Sequence, residues 1–262
     1  MAFTLSIQNQ GVIKARAQGE TAVQLCYQGE YTQGDTIVLT PSEPCFAVLS
    51  LEKSLDETYV YLVGEYQFPI PFGADRISYS PICFTFNSHV LSARLASAQE
   101  IALHKTLCRN CYDHHKNTGA YPHAFANVET RNEAIFAARN AIDGVSTSGG
   151  HGPYPYQSWG INQQADAQIT VDFGRAVDID AIAITLRSDF PHDNWWHRVC
   201  LQFSDGSRET IALQKTGDAQ YFPMIKNGIN SITMCEMLKD ETDPSPFPAL
   251  MQLEAFGTEH QA

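Results

Sequence analysis

Turn-forming residues interrupt this chain so often that mainly strands fit between them. Ala22-Val23-Gln24-Leu25-Cys26-Tyr27, Thr36-Ile37-Val38-Leu39, Cys45-Phe46-Ala47-Val48-Leu49 and Tyr59-Val60-Tyr61-Leu62-Val63 are of strand length and rich in β-branched or aromatic residues. Gln33-Gly34-Asp35 and Pro41-Ser42-Glu43-Pro44 punctuate them. Short strands at this spacing predict a β-sandwich or jelly roll over residues 1–92.

Residues 93–119 differ. From Ala93 to Leu107 there is no Gly or Pro, and Leu95, Ala98, Ala102 and Leu103 fall near helical spacing. The pattern predicts one helix in a linker, broken by Asn117-Thr118-Gly119-Ala120-Tyr121-Pro122. Residues 120–262 return to strands. Gln168-Ile169-Thr170-Val171-Asp172-Phe173 alternates strictly, which is how a strand with one buried face reads. Ser204-Asp205-Gly206-Ser207 suits a hairpin. The expected fold class is all-β: a β-sandwich over 1–92, a helical linker over 93–119, and a second β domain over 120–262.

Charge narrows the partners. The formal net charge is −12 and no Lys/Arg run breaks the acidic field, so nucleic acid is not an expected partner. No stretch approaches the roughly 18 apolar residues that span a bilayer, so neither is a membrane. Met1-Ala2-Phe3-Thr4-Leu5-Ser6-Ile7-Gln8 lacks a basic start and a long apolar run, so the expected location is cytoplasmic. Seven scattered cysteines fit reduced thiols in that compartment.

Two loops carry most of the chemistry. Arg187-Ser188-Asp189-Phe190-Pro191-His192-Asp193-Asn194-Trp195-Trp196-His197 follows a strand. A sugar offers hydroxyl pairs and an apolar C–H face, which Arg, Asp and His meet with hydrogen bonds and Trp with a platform. Arg187, Asp189, His192, Asp193 and Trp195 are therefore candidate ligand contacts. The competing structural role is an Arg187–Asp189 brace with one Trp in the core. The second loop, 145–156, holds His151 and Tyr154 behind Gly149-Gly150 and stiffened by two prolines. Those two residues join the candidate set, with a plain covering role for the tyrosines as the alternative.

Catalytic signatures do not emerge. There is no G-x-S-x-G, H-E-x-x-H or phosphate-binding glycine loop. Cys108-Arg109-Asn110-Cys111 with His104 and His115 nearby has zinc-type residues. A single C-x2-C is weak, and spacings that put all four residues on one side of a helix cannot wrap a tetrahedral ion. No catalytic residue is assigned.

Six segments in order resemble the coagulation-factor type C, or discoidin, domain, a galactose-binding-like fold. They are Asn140-Ala141-Ile142-Asp143-Gly144, Gln157-Ser158-Trp159-Gly160, Ile169-Thr170-Val171-Asp172-Phe173-Gly174, Ile182-Ala183-Ile184-Thr185-Leu186-Arg187, Val199-Cys200-Leu201-Gln202-Phe203-Ser204-Asp205-Gly206 and Leu253-Glu254-Ala255-Phe256-Gly257. The whole chain also resembles small bacterial carbohydrate-binding proteins. The resemblance implies a discoidin-like β-sandwich (jelly roll) over 120–262 that binds carbohydrate at one end, where the 187–197 loop would lie. It also implies a structural calcium held by Asn140, Asp143, Ser148 (or Ser146) and Glu254. The expected function is non-catalytic binding of a mono- or oligosaccharide, with an oligomer allowed. The alternatives are a carbohydrate-active enzyme with its site between the domains, or a protein–protein interaction module. Loop 145–156 is longer than the family's usual link, so the identity of the sugar does not transfer.

Overall fold

A computed structural model describes residues 2–189, 192 and 194–261. The first half contains β1 (Phe3–Asn9), β2 (Val12–Gly19), β3 (Ala22–Gln28), β4 (Asp35–Pro41), β5 (Cys45–Ser50), β6 (Thr58–Leu62), β7 (Tyr66–Pro69) and β8 (Ser88–Leu95). A short helix α1 (Ala98–Ala102) and β9 (Lys105–Thr106) lead to β10 (Ala120–Tyr121) and β11 (His123–Ala126). The second half adds β12 (Trp159–Gly160), β13 (Ile169–Arg187), β14 (Trp196–Phe203), β15 (Arg208–Ala212), β16 (Gln220–Lys239) and β17 (Ala249–Glu259). The protein is almost entirely β, and no helix among the described residues is long and apolar enough to cross a membrane.

The N-terminal half is a sandwich of sheets β2-β1-β4-β7 and β10-β6-β5-β8-β3. Alternation explains it. Along β3, Val23 and Leu25 point in while Ala22, Gln24 and Cys26 point out. Phe3, Leu5, Ile37, Leu39, Ala47, Leu49, Val60 and Leu91 close the core between the sheets.

The C-terminal half is one sheet bent over itself, in the order β12-β17-β13-β16-β14-β15. Strand β13 pairs with β11 through residues 169–172 and with β17 through residues 177–187. Strand β16 follows β13 along its other edge through both stretches. The bends fall at Gly174 and Gly228, both at φ +65°. A Cβ on Gly174 would sit 2.3 Å from the Tyr121 ring, so only glycine turns this corner. Trp159 and Trp196 lie fully buried in the core, ring centroids 6.3 Å apart. Each contributes on the order of the 1.5–3 kcal/mol of a fully buried large side chain.

One expectation needs correction between the halves. The helix expected from Ala93 to Leu107 is confined to Ala98–Ala102. Ser97 and Glu100 form a capping box that starts it, but the preceding residues belong to β8 and the following ones pair with β17. In β8, Leu91 and Ala93 face the core at strand spacing, so pairing overrides a composition that favours helix. Around residue 120 the chain touches both halves: Ala120 and Tyr121 pair with Leu62 and Tyr61 in the N-terminal sheet. Leu107 and Cys108 pack into the C-terminal core, whereas Cys111 and Tyr112 pack into the N-terminal one.

Candidate functional site

The loop after β13 is built around a buried guanidinium. Arg187 is 1% exposed. Its Nε and Nη2 donate to the Asp189 carboxylate at 2.8 and 3.1 Å, and Nη1 donates to the Tyr156 carbonyl at 2.5 Å. All three nitrogens are committed and none faces solvent. Of the two roles open to Arg187, the geometry realises the brace. Burial works to raise the Asp189 carboxyl, but the bonds from Arg187 prevail and hold it below its ordinary range. The Asp189 carbonyl then accepts from the His192 amide at 2.5 Å, which places the His192 ring.

That ring walls a cavity of about 160 Å³ at the loop end of the bent sheet. His192 Nδ1 lies 2.9 Å from the Phe247 carbonyl. A carbonyl only accepts, so Nδ1 carries the proton and Nε2 is left as a lone-pair acceptor. Nε2 is buried and has no hydrogen-bond partner among the described residues. Burial, reinforced by the charge of Arg187, pushes the His192 pKa down to about 4. At neutral pH the imidazole in the cavity wall is therefore neutral, with an unsatisfied acceptor buried behind its exposed edge. Phe136, His151 and Phe247 ring it at centroid distances of 5.8, 5.8 and 6.3 Å.

The opposite wall has a backbone signature. Arg131, Asn162 and Gln163 line it with φ of +53°, +49° and +59°. Left-handed conformations at non-glycine residues are uncommon and gather at functional sites. The Asn162 amide donates to Thr130 Oγ1 at 2.9 Å, tying the two turns together. Gly160 lies between them, and a Cβ there would stand 2.7 Å from Thr130 Oγ1 and 3.3 Å from Phe136. Sequence reasoning missed Thr130, Arg131, Phe136, Asn162 and Phe247. They come from three separate segments, and the positive φ values carry no sequence signal except glycine, which is absent at those positions.

The remaining predicted contacts lie elsewhere. His151 lines the cavity beside His192, but Tyr154 does not. Tyr154 is half-buried facing Asp143 and Gln157; burial, then Asp143, raises its hydroxyl. Trp195 packs partly against the C-terminal core with Lys215 Nζ 5.4 Å from its ring centroid. Trp196, not Trp195, supplies the core tryptophan. Asp193 lies outside the described residues.

The residues assigned to calcium by resemblance do not gather around one point. Asn140 turns its amide to the carbonyls of Ala134 and Ser158. Ser148 accepts from the Gly150 amide and hydrogen-bonds Asp189. Glu254 lines a separate cavity of about 80 Å³ with Arg109 and Thr106. Asp143 is buried with both oxygens occupied by donors: Val145 N at 2.8 Å and Gln252 Nε2 at 2.9 Å on Oδ1, and Gln157 Nε2 at 3.2 Å on Oδ2. Gln252 Nε2 also lies 2.8, 3.2 and 2.6 Å from the carbonyls of Asn140, Val145 and Met251. Four oxygens thus converge on an amide nitrogen. This donor set does not fit a cation, because an N–H group already fills its centre.

The zinc-type residues are likewise separated. Cys108 and Cys111 sit in different cores and off any helix, with burial pushing their thiols up to about 12 and about 11. His104 pairs with Asp180 and His115 with Glu129. No group of three or more His, Cys, Asp or Glu among the described residues could hold a metal ion. A cavity of about 330 Å³ at the junction of the halves is lined by Asp75, Tyr79, His114, Lys116 and Arg139, among others. Arg139 there already donates to the carbonyls of Asp113 and Cys111 and to Ser78 and Asn140 side chains.

No family model and no curated protein sequence matches the chain. Among solved structures, it is similar to chitosan-binding module 1 of a chitosanase/glucanase from Paenibacillus sp. IK-5, at 17% identity over 59% of this chain and 100% of that one, TM-score 0.39. It is similar to the family 32 carbohydrate-binding module of C. perfringens NanJ in complex with galactose, at 17% identity over 51% and 91%, TM-score 0.39. It is similar also to the lectin domain of lectinolysin complexed with Lewis B antigen, at 16% identity over 60% and 98%, TM-score 0.44.

Proposed function

We propose that the cavity around His192 binds a neutral sugar and performs no chemistry on it. The observation that carries this reading is an aromatic cavity walled by His192, whose orphaned Nε2 lies buried behind that wall. A buried acceptor without a partner costs about 1–3 kcal/mol, and a ligand hydroxyl supplies the missing donor. Phe247, 40% exposed, offers a face for a C–H surface. The size fits one ring and is well below the roughly 300–1,000 Å³ of pockets for drug-sized ligands.

The same geometry argues against turnover. A general base works best with a pKa near the working pH, and His192 at about 4 is far below it. Glycoside hydrolysis needs two carboxylates flanking one bond, and no described lining residue of this cavity is acidic. The extra stiffness that a structural calcium would lend is, on this reading, supplied by the Gln252 amide.

Calorimetric titration with galactose, glucose, fucose and N-acetylglucosamine, alongside a turnover assay on their aryl glycosides, tests the proposal. His192→Phe should keep the fold and lower affinity by roughly 5- to 100-fold, the cost of leaving a hydroxyl unpaired. Unchanged binding in that folded variant, or glycoside cleavage that vanishes on replacing one carboxylate, would refute it.

A further inference from the structure

The cavity around His192 adjoins a second, larger one. Ile161, Gln163, Pro246 and Pro248 line both, so they form a rim common to the two. The second space is about 460 Å³ against about 160 Å³ for the first.

Strand irregularities make it. Between β14 and β16 the register slips twice, once beside His197 and once between Cys235 and Leu238. Glu236 takes φ +47° at the second slip. Bulges of this kind re-aim side chains at a sheet edge. Here Met237 and Leu238 both line the groove, and Leu238 is 41% exposed. Trp196 also lies at it, fully buried, and its indole N–H has no acceptor among the described residues. Behind the walls of the two adjoining cavities lie two buried, unsatisfied polar atoms of opposite kind: an acceptor at His192 and a donor at Trp196. The charges at the rim, Lys239 and Glu241, pair with each other at 3.2 Å, so the groove favours no ionic ligand.

We infer that the groove is a second subsite and that the protein recognises a neutral oligosaccharide, one residue in the His192 cavity and at least one more along Met237 and Leu238. The inference rests on the sugar-binding reading of the first cavity. An apolar strip of Met237 and Leu238 beside the side-chain amides of Gln163 and Gln164 suits a further pyranose: its C–H face on Leu238, its hydroxyls to those amides. Continuity through the shared rim makes the second unit a covalent extension of the first, so its contacts add affinity without a second loss of overall freedom.

Monosaccharides and the matching di- and trisaccharides are titrated against the wild type, His192→Phe and Leu238→Asp. The probes are glucose with cellobiose and cellotriose, galactose with β-1,4-galactobiose and galactotriose, and N-acetylglucosamine with chitobiose and chitotriose. For the series that binds, the trisaccharide should bind at least ten times more tightly than the monosaccharide. Leu238→Asp should abolish that gain while leaving monosaccharide affinity unchanged, and His192→Phe should weaken every length. A trisaccharide no tighter than its monosaccharide, or a gain that survives Leu238→Asp, overturns the second subsite while the first stands. Monosaccharide binding indifferent to His192→Phe, or no binding of any probe, overturns the sugar-binding reading and the subsite with it.

Discussion

Replacing Gln252 should show how much of the C-terminal half hangs on one side chain. Its amide nitrogen faces Asn140 O, Asp143 Oδ1, Val145 O and Met251 O within 3.2 Å, and its oxygen accepts the Gly144 amide at 3.0 Å. Two N–H groups can serve at most two acceptors well, one of them a carboxylate. Three hydrogen bonds are therefore lost in Gln252→Ala, about 1 kcal/mol each and more for the charged one, and the Asp143 carboxylate is left short of a donor in a buried setting. The cost should be about 3–5 kcal/mol, a fall in melting temperature of roughly 6–20 °C for a chain of this size. Gln252→Glu keeps the shape but turns the donor into a second carboxylate beside Asp143, which is destabilising by like-charge repulsion. It also completes an all-oxygen nest, so millimolar Ca²⁺ should restore stability to this variant. Urea unfolding of the three proteins with and without chelator is the assay. A loss below about 1 kcal/mol in Gln252→Ala, or wild-type protein that is itself stabilised by Ca²⁺, would refute the reasoning.

Two further outcomes follow from the loop after β13. His192 has a folded pKa of about 4 against an ordinary 6.5, so the unfolded chain holds more protons between those values. Stability is full above about pH 6.5 and declines by up to about 3 kcal/mol as pH falls towards 4. Sugar affinity should hold across neutral pH and change only near and below about 4, where protonation turns Nε2 from acceptor to donor; a His192→Phe protein with the same acid limb of stability would contradict this. Arg187→Ala leaves Asp189 without its buried partner and the Tyr156 carbonyl without its donor. It should cost about 3–5 kcal/mol in unfolding free energy, and a fully stable variant that merely binds sugar less well would return Arg187 to the ligand contacts.

The strands were legible because burial on one face writes itself as alternation. Gln168 to Phe173 is the clearest case, and the structure carries it through a bend into a single long β13. The helix was misread because Ala and Leu serve equally well in a strand whose inward positions need small or aliphatic residues, as Leu91 and Ala93 do. At the site, the residue types in loop 187–197 announced a built loop, and His192 and His151 reach the cavity. Arg187 and Asp189 were ambiguous because a brace and a ligand clamp use the same chemistry. The far wall was illegible: Arg131, Asn162 and Gln163 acquire their role from backbone angles that tertiary packing imposes.

The segment from Leu107 to Tyr112 has a mechanical consequence. Cys108 is embedded in one core and Cys111, three positions on, in the other, and Tyr112 Oη accepts the Leu51 amide at 2.9 Å. Arg109 pairs with Asp56 of the first half and stands over Gly144 of the second. A span this short cannot pay out slack, so neither half can loosen without dragging an anchored side chain from the other. The protein should melt in one calorimetric transition. A break in the chain here would cost more than one in the long loop at 145–156. Under tension the halves should let go together, in a single rip.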